Sequence, residues 1–574
     1  MLAPPRLVQR GRLLPVVGVV VVVCLVVVVR YQQSWSLPLL SQRVRPQLHD
    51  IDAHAHQWST WSVVCSPDMA HLGLDLDHAV GTAGTSDSSF SALDLTPAFR
   101  YSRRCVRPVF RPQKSADPTV RRPPTRMRGQ LVPAQQDMLV VNRTALGTTC
   151  DRPLPPCEPL VLDVPLPYPT ASSTNYSHFL FGVASSHARM MNALDGFEHW
   201  LGGTEAQLLA IVQEEDGVED WPEEDDVPSQ TKPGIGKTAT QLAELAALET
   251  AYQARGIRLR ALPPQHRLAR TAVQNHFAVL MTLLEAATPD ETKWLSIVDD
   301  DTFFPSLYRL DQTLSKYDHT RPAWLGALSE DTDALALWGR MAYGGAGVFV
   351  SVPLAETVVP YIGECLRQGR KAAMALKESG NAPPTAADST ITGDGLLRDC
   401  IARHAPATSL SLVPGLNQND LYGDIAGFYE AGLSPLSVHH WRSWYKAPLP
   451  AMAAITRLCG DCFLKRWLWR DGGDTLLVNG FSVTQFRPGV HPDFRRMEQT
   501  WSHAGDEFAA GLGPLRPALD EADKKSFRLR KVIRDRDGGL RQIYVYKGAF
   551  GTDELDEVFE LLWESEEEKE GAMV

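Results

Sequence analysis

Apolar and polar positions fall into regular periods only in part of the chain. An apolar stretch, Phe179 to Val183, runs into a small polar turn and then into Met190, Leu194 and Phe197 at helical spacing, which predicts a strand followed by a helix. "AQLLAIVQEED" predicts a second strand, Thr238 to Arg255 an amphipathic helix, Arg267 to Ala287 another helix, and "WLSIV" a strand from Trp294 to Val298. Strands alternating with helices imply an α/β domain with a mostly parallel, doubly wound sheet over residues 171–450. Ligands of such sheets bind beyond the carboxyl ends of the strands. Residues 30–170 are rich in Pro, Ser and Arg and keep no period, which predicts a stem with poorly ordered parts. Residues 451–574 predict a small β-rich region, with "SFRLRKVIRDRDGGLRQIYVYKG" as a hairpin turning at Asp537-Gly538-Gly539.

One stretch is apolar without any period. Leu13 to Val29 are seventeen uncharged residues dominated by valine, just long enough to span a bilayer. Arg6, Arg10 and Arg12 precede them, so residues 1–12 are expected in the cytosol and everything after residue 29 in a secretory lumen, Golgi or endoplasmic reticulum. No small-residue cleavage site follows, which favours an uncleaved signal anchor. Of nine cysteines, eight lie beyond this segment; the close pairs Cys150/Cys157 and Cys459/Cys462 suggest local disulfides. Asn142 and Asn175 head glycosylation sequons. A net charge of −11 over 574 residues argues against nucleic-acid binding.

The chemistry concentrates at the end of "WLSIV", where Asp299, Asp300 and Asp301 are adjacent. Clustered carboxylates at a strand end suit a divalent ion such as manganese or magnesium, which also makes their mutual repulsion tolerable. "MAYGGAGVFVS" places Gly344 to Gly347 before a strand, where glycines let backbone approach a ligand. Asp394 stands between two glycines at a helix start, and His439 and His440 are candidate metal ligands beside Trp441. Two other motifs fall away. "TKPGIGKTAT" lacks the first glycine of a phosphate-binding loop, and the acidic run Glu214 to Asp226 lacks calcium-loop spacing.

Six segments in this order, "FGVASSHARM", "WLSIVDDDTFF", "RPAWLGA", "YGGAGVFVS", "GDGLLRDCI" and "SVHHW", resemble the Fringe-like glycosyltransferases of family 31 over roughly residues 175 to 445. The C-terminal region resembles an extension of fungal relatives. The resemblance implies a GT-A fold and an inverting transfer of a hexose or N-acetylhexosamine from a UDP-sugar, with manganese, to a glycan or glycoprotein, through a β-1,3 linkage. It implies that Ser185, Arg189, Asp299 and Asp300 lie near the nucleotide, and that Gly345, Ala346 and Gly347 line the sugar pocket. Asp301 with His439 or His440 would hold the metal, and Asp394 would be the base. The family carries two acidic residues where this chain has Gly393-Asp394-Gly395, so Asp388 and Asp399 stay open as bases. The competing reading is a catalytically silent glycan-binding protein on the same scaffold.

Overall fold

A computed structural model describes residues 72, 93–113, 117–118, 120–142, 156–169, 174–213, 239–269, 271–378, 391–470, 473–502, 512–535, 538–549 and 554–565. The expected anchor at residues 13–29, the acidic run, Asp388, Cys65 and Cys150 lie outside them. Among the described residues no helix is long and apolar enough to cross a membrane.

In chain order the first strands are β1 (Ala98–Arg111), β2 (Thr125–Met127), β3 (Leu139–Asn142) and β4 (Glu158–Pro165). Then come β5 (Phe179–Ser186), β6 (Gln207–Gln213), β7 (Arg258–Leu262), β8 (Trp294–Ile297), β9 (Trp324–Gly326), β10 (Val348–Ser351) and β11 (Leu410–Leu412). These seven form one sheet in the order β7-β6-β5-β8-β10-β9-β11. Only β10 runs against its neighbours, so the expectation of a mostly parallel sheet holds for this part of the chain.

The two-residue period explains how this sheet is covered. Phe179, Phe181 and Val183 of β5, with Leu208 and Ala210 of β6, enter one core beside Met190, Leu194 and Phe197 of helix His187–Leu201. Leu180, Leu209 and Ile211 enter a second core, against Phe277, Leu280 and Leu283 of helix Ala272–Ala286. Both faces are therefore buried, as parallel strands require. Gly182 permits the second contact, because a Cβ there would meet Leu283 Cδ1 at 2.8 Å.

Further along lie β12 (Tyr422–Gly423), β13 (Arg466–Trp469), β14 (Thr475–Val478), β15 (Ser482–Phe486), β16 (Met497–Gln499), β17 (Trp501–Ser502) and β18 (Leu515–Pro517). They are followed by β19 (Lys524–Arg534), β20 (Leu540–Tyr546) and β21 (Asp556–Trp563). The second large sheet has the order β2-β13-β14-β15-β19-β20-β21-β1-β3, with β4 also on β1. The expected hairpin is β19 with β20, antiparallel from Arg528↔Val545 to Arg534↔Leu540. Trp467, Trp469 and Trp563 are buried, so these aromatics serve packing.

Two expectations are corrected. The strands β1 to β4 are not stem: β1 lies parallel to β21 from Phe99↔Asp556 to Val106↔Trp563, and β3 and β4 join the sheet only through it. Cys157 pairs with Cys105, not Cys150, because Cys157 leads into β4, which lies beside β1 with Cys105 opposite Pro159. Cys459–Cys462 is bonded as expected, and Cys365–Cys400 joins helices Ile362–Glu378 and Gly393–His404.

Candidate functional site

The three aspartates follow β8, and each has its own cationic or polar partner. Asp299 lies between His276 Nδ1 at 3.4 Å and His439 Nε2 at 3.3 Å. Asp300 accepts from Arg189 Nε at 2.6 Å and Nη2 at 2.7 Å, and from the Ser185 hydroxyl. Asp301 faces His439 Nε2 at 2.9 Å and accepts from Ser443 Oγ at 3.3 Å. Their repulsion is thus answered within the protein itself. Burial alone would push Asp299 and Asp301 up, but the neighbouring histidines hold both below the usual carboxylate range. Burial would likewise depress His439, yet Asp301 and Asp299 raise it well above the ordinary histidine value.

Backbone pairing brings these groups together. Phe303 N donates to Val438 O and Val438 N to Phe303 O, each at 2.9 Å, so the residues after the aspartates form a two-way bridge with those before the histidines. Thr302 Oγ accepts from Asp299 N at 2.9 Å and donates to Gly345 O at 3.0 Å, tying in the glycine turn. Gly344 to Gly347 are buried. A Cβ on Gly345 would overlap the His439 ring, and one on Gly344 would meet His276 Cε1 at 2.7 Å. The small residues expected to line a sugar pocket are therefore needed to seat two histidines. Ala346 N donates to Gln418 Oε1 at 2.9 Å.

Asp394 lies in the first turn of helix Gly393–His404, where Thr392 caps by accepting from Gly395 N at 3.0 Å. Its Oδ2 accepts from Gly344 N at 2.8 Å, and its Oδ1 meets His276 Nε2 at 2.9 Å. The helix N-terminus favours a carboxylate here. Asp399, the rival on the same helix, is 61 % exposed and pairs with Arg398, whereas Asp394 is 15 % exposed and joins the cluster.

The sequence reading missed His276. A capping box, Thr271 with Gln274, fixes the start of helix Ala272–Ala286 and so sets the turn on which His276 reaches both Asp299 and Asp394. Burial alone would lower its pKa, but Asp394 and then Asp299 carry it up to about 9. Gln418 and Asp420 were also missed; they contact His439 and His440 respectively. The only signal was the polar run "NQND" before the histidines.

Asp301, His439 and His440 each offer a ligand atom, all within 4.8 Å of one another. One carboxylate and two imidazoles in a buried corner fit a divalent first-row ion with positions left open. A second such group, Cys365, Cys400 and His404, is accounted for by the disulfide.

Comparison with known proteins adds the following. Two solved structures show a low likeness. The glycosyltransferase GlyE of Streptococcus pneumoniae has 11% identity and a TM-score of 0.27, covering 49% of this chain and 60% of its own length. Mouse xyloside xylosyltransferase 1 has 8% identity and a TM-score of 0.24, covering 41% of this chain and 84% of its own. Likeness this low bears on neither fold nor activity. No curated protein matches the chain. Residues 263–378 match the family described as Fringe-like, and the chain accordingly carries a Fringe-like domain across the capped helix, the three aspartates and the glycine turn.

Proposed function

We propose that this chain is a metal-dependent, inverting glycosyltransferase that moves a hexose or N-acetylhexosamine from a UDP-sugar to a glycan or glycoprotein hydroxyl, forming a β-1,3 linkage. The observation that carries this reading is the convergence of Asp301, His439 and His440 beside a second, separately held carboxylate, Asp394. The Fringe-like match over residues 263–378 supports it.

Manganese bound by Asp301, His439 and His440 would supply positive charge against the charge that develops on the departing diphosphate. Arg189 and Asp300 present a fixed polar pair to the ribose and diphosphate, with Ser185 holding Asp300 in place. Asp394 takes the proton of the acceptor hydroxyl as its oxygen attacks the anomeric carbon opposite the diphosphate, whose phosphate oxygen keeps the bonding pair. Gly344 N–H and His276 hold the two oxygens of Asp394 during this step.

On this reading residues 13–29 anchor the chain with residues 30–574 in the Golgi or endoplasmic-reticulum lumen. Three paired disulfides and an exposed Asn175 in its sequon support an oxidising, glycosylating compartment. The test is UDP release from a panel of UDP-sugars with manganese and candidate acceptors. One sugar should turn over, and Asp394→Asn should slow it by about 10²–10⁴-fold. Equal rates in the variant would remove Asp394 from the chemistry.

A further inference from the structure

The two adjacent histidines are engaged through different ring nitrogens. His439 Nδ1 lies 3.1 Å from the main-chain carbonyl of Gln418. A carbonyl only accepts, so Nδ1 carries the proton and Nε2 is the atom turned towards Asp301 at 2.9 Å. In His440 the order is reversed. Its Nε2 faces Asp420 Oδ1 at 3.0 Å, while Nδ1 lies 3.4 Å from Ser443 Oγ, the hydroxyl that also reaches Asp301 Oδ2 at 3.3 Å. Asp420 is buried, and its other oxygen accepts from the Ser329 hydroxyl, so it cannot easily swing away.

Neighbouring side chains on an extended strand point to opposite sides. Here His440 has φ 58°, in the left-handed region, and the two rings come to the same side with centroids 3.7 Å apart. The Trp444 ring lies flat on His440, 3.7 Å between centroids and 8° between planes, which fixes the imidazole plane. Backbone, stacking and the Asp420 contact thus agree on one orientation.

We propose that Asp420 and the Gln418 carbonyl are positioning groups that select opposite tautomers in the two histidines, so that His439 offers Nε2 and His440 offers Nδ1 to one divalent ion together with Asp301. The nitrogen a histidine gives to a metal is set by the hydrogen bond its other nitrogen makes. The inference rests on the metal-dependent reading above and assigns both histidines to the ion.

The test uses the full chain and Mn²⁺ alone, with affinity read from the free-ion electron paramagnetic resonance signal and coordination from ¹⁴N modulation of the bound ion. Asp420→Ala should weaken Mn²⁺ by about 10–100-fold and remove one nitrogen, the range for loss of an orienting partner. Asp420→Asn keeps an acceptor and should retain most of the affinity. In a His440→Ala chain, Asp420→Ala should add no further loss, whatever it does to the melting temperature. Equal losses in both backgrounds, or two nitrogens remaining in Asp420→Ala, would overturn the inference while leaving the metal site standing. Absence of Mn²⁺ binding by the unaltered, folded chain would overturn both.

Discussion

At the scale of single residues, the site is a set of acidic groups each answered by a named partner. His276 is central, because it meets both Asp299 and Asp394. Its pKa rises from 6.5 to about 9 in the folded chain. A histidine raised on folding binds its proton more tightly when native, so its stabilisation is complete below the unfolded value and fades as pH climbs through the folded one. Melts of the wild type and His276→Gln from about pH 6 to about pH 10 should show a gap that closes above about pH 9; a gap of constant size would contradict this. Gly345→Ala should abolish manganese binding, since the added methyl takes the space of the His439 ring, and calorimetric titration checks it. The adjacent aspartates and histidines were legible as unusual clusters. His276, one polar position on a packed helix, was not, because nothing in its neighbours marks it out before the fold brings Asp394 to it.

At the scale of elements, the bridge between Phe303 and Val438 decides whether the aspartates and histidines meet. Val438→Pro removes one of its two hydrogen bonds and orphans the Phe303 carbonyl, at a cost of about 1–3 kcal/mol. Denaturant melts should show that loss, and manganese affinity should fall with it; unchanged affinity would mean that other contacts align the site. Strands β5 and β8 and helix Ala272–Ala286 could be read from the sequence because β5 and β8 are short apolar runs and the helix is a longer, mostly apolar one. β1 could not. "AFRYSRRCVRPVFR" places Arg100, Arg103, Arg104, Arg107 and Arg111 with no two-residue period, and its partner β21 is more than 400 positions away in sequence, as Phe99↔Asp556 shows. Local pattern carries no trace of such a pairing.

At the scale of the whole molecule, the strands β1 to β4 and the strands β13 to β15 and β19 to β21 build one sheet, and that sheet shares a core with the part bearing the site. A chain started at residue 171 lacks β1 to β4 and leaves β21 with an open apolar edge. Such a chain should be insoluble, whereas one started near residue 90 should melt cooperatively; a soluble, cooperative shorter chain would show the second sheet to be dispensable. The proposed function stands on Asp301, His439 and His440 forming a metal and nucleotide-sugar site. It is tested most directly by calorimetric titration of the folded chain with UDP-sugars, with and without manganese, beside Asp301→Ala. One UDP-sugar should bind only when manganese is present and should not bind the variant. Failure of every UDP-sugar to bind a demonstrably folded chain, with manganese supplied, would contradict it.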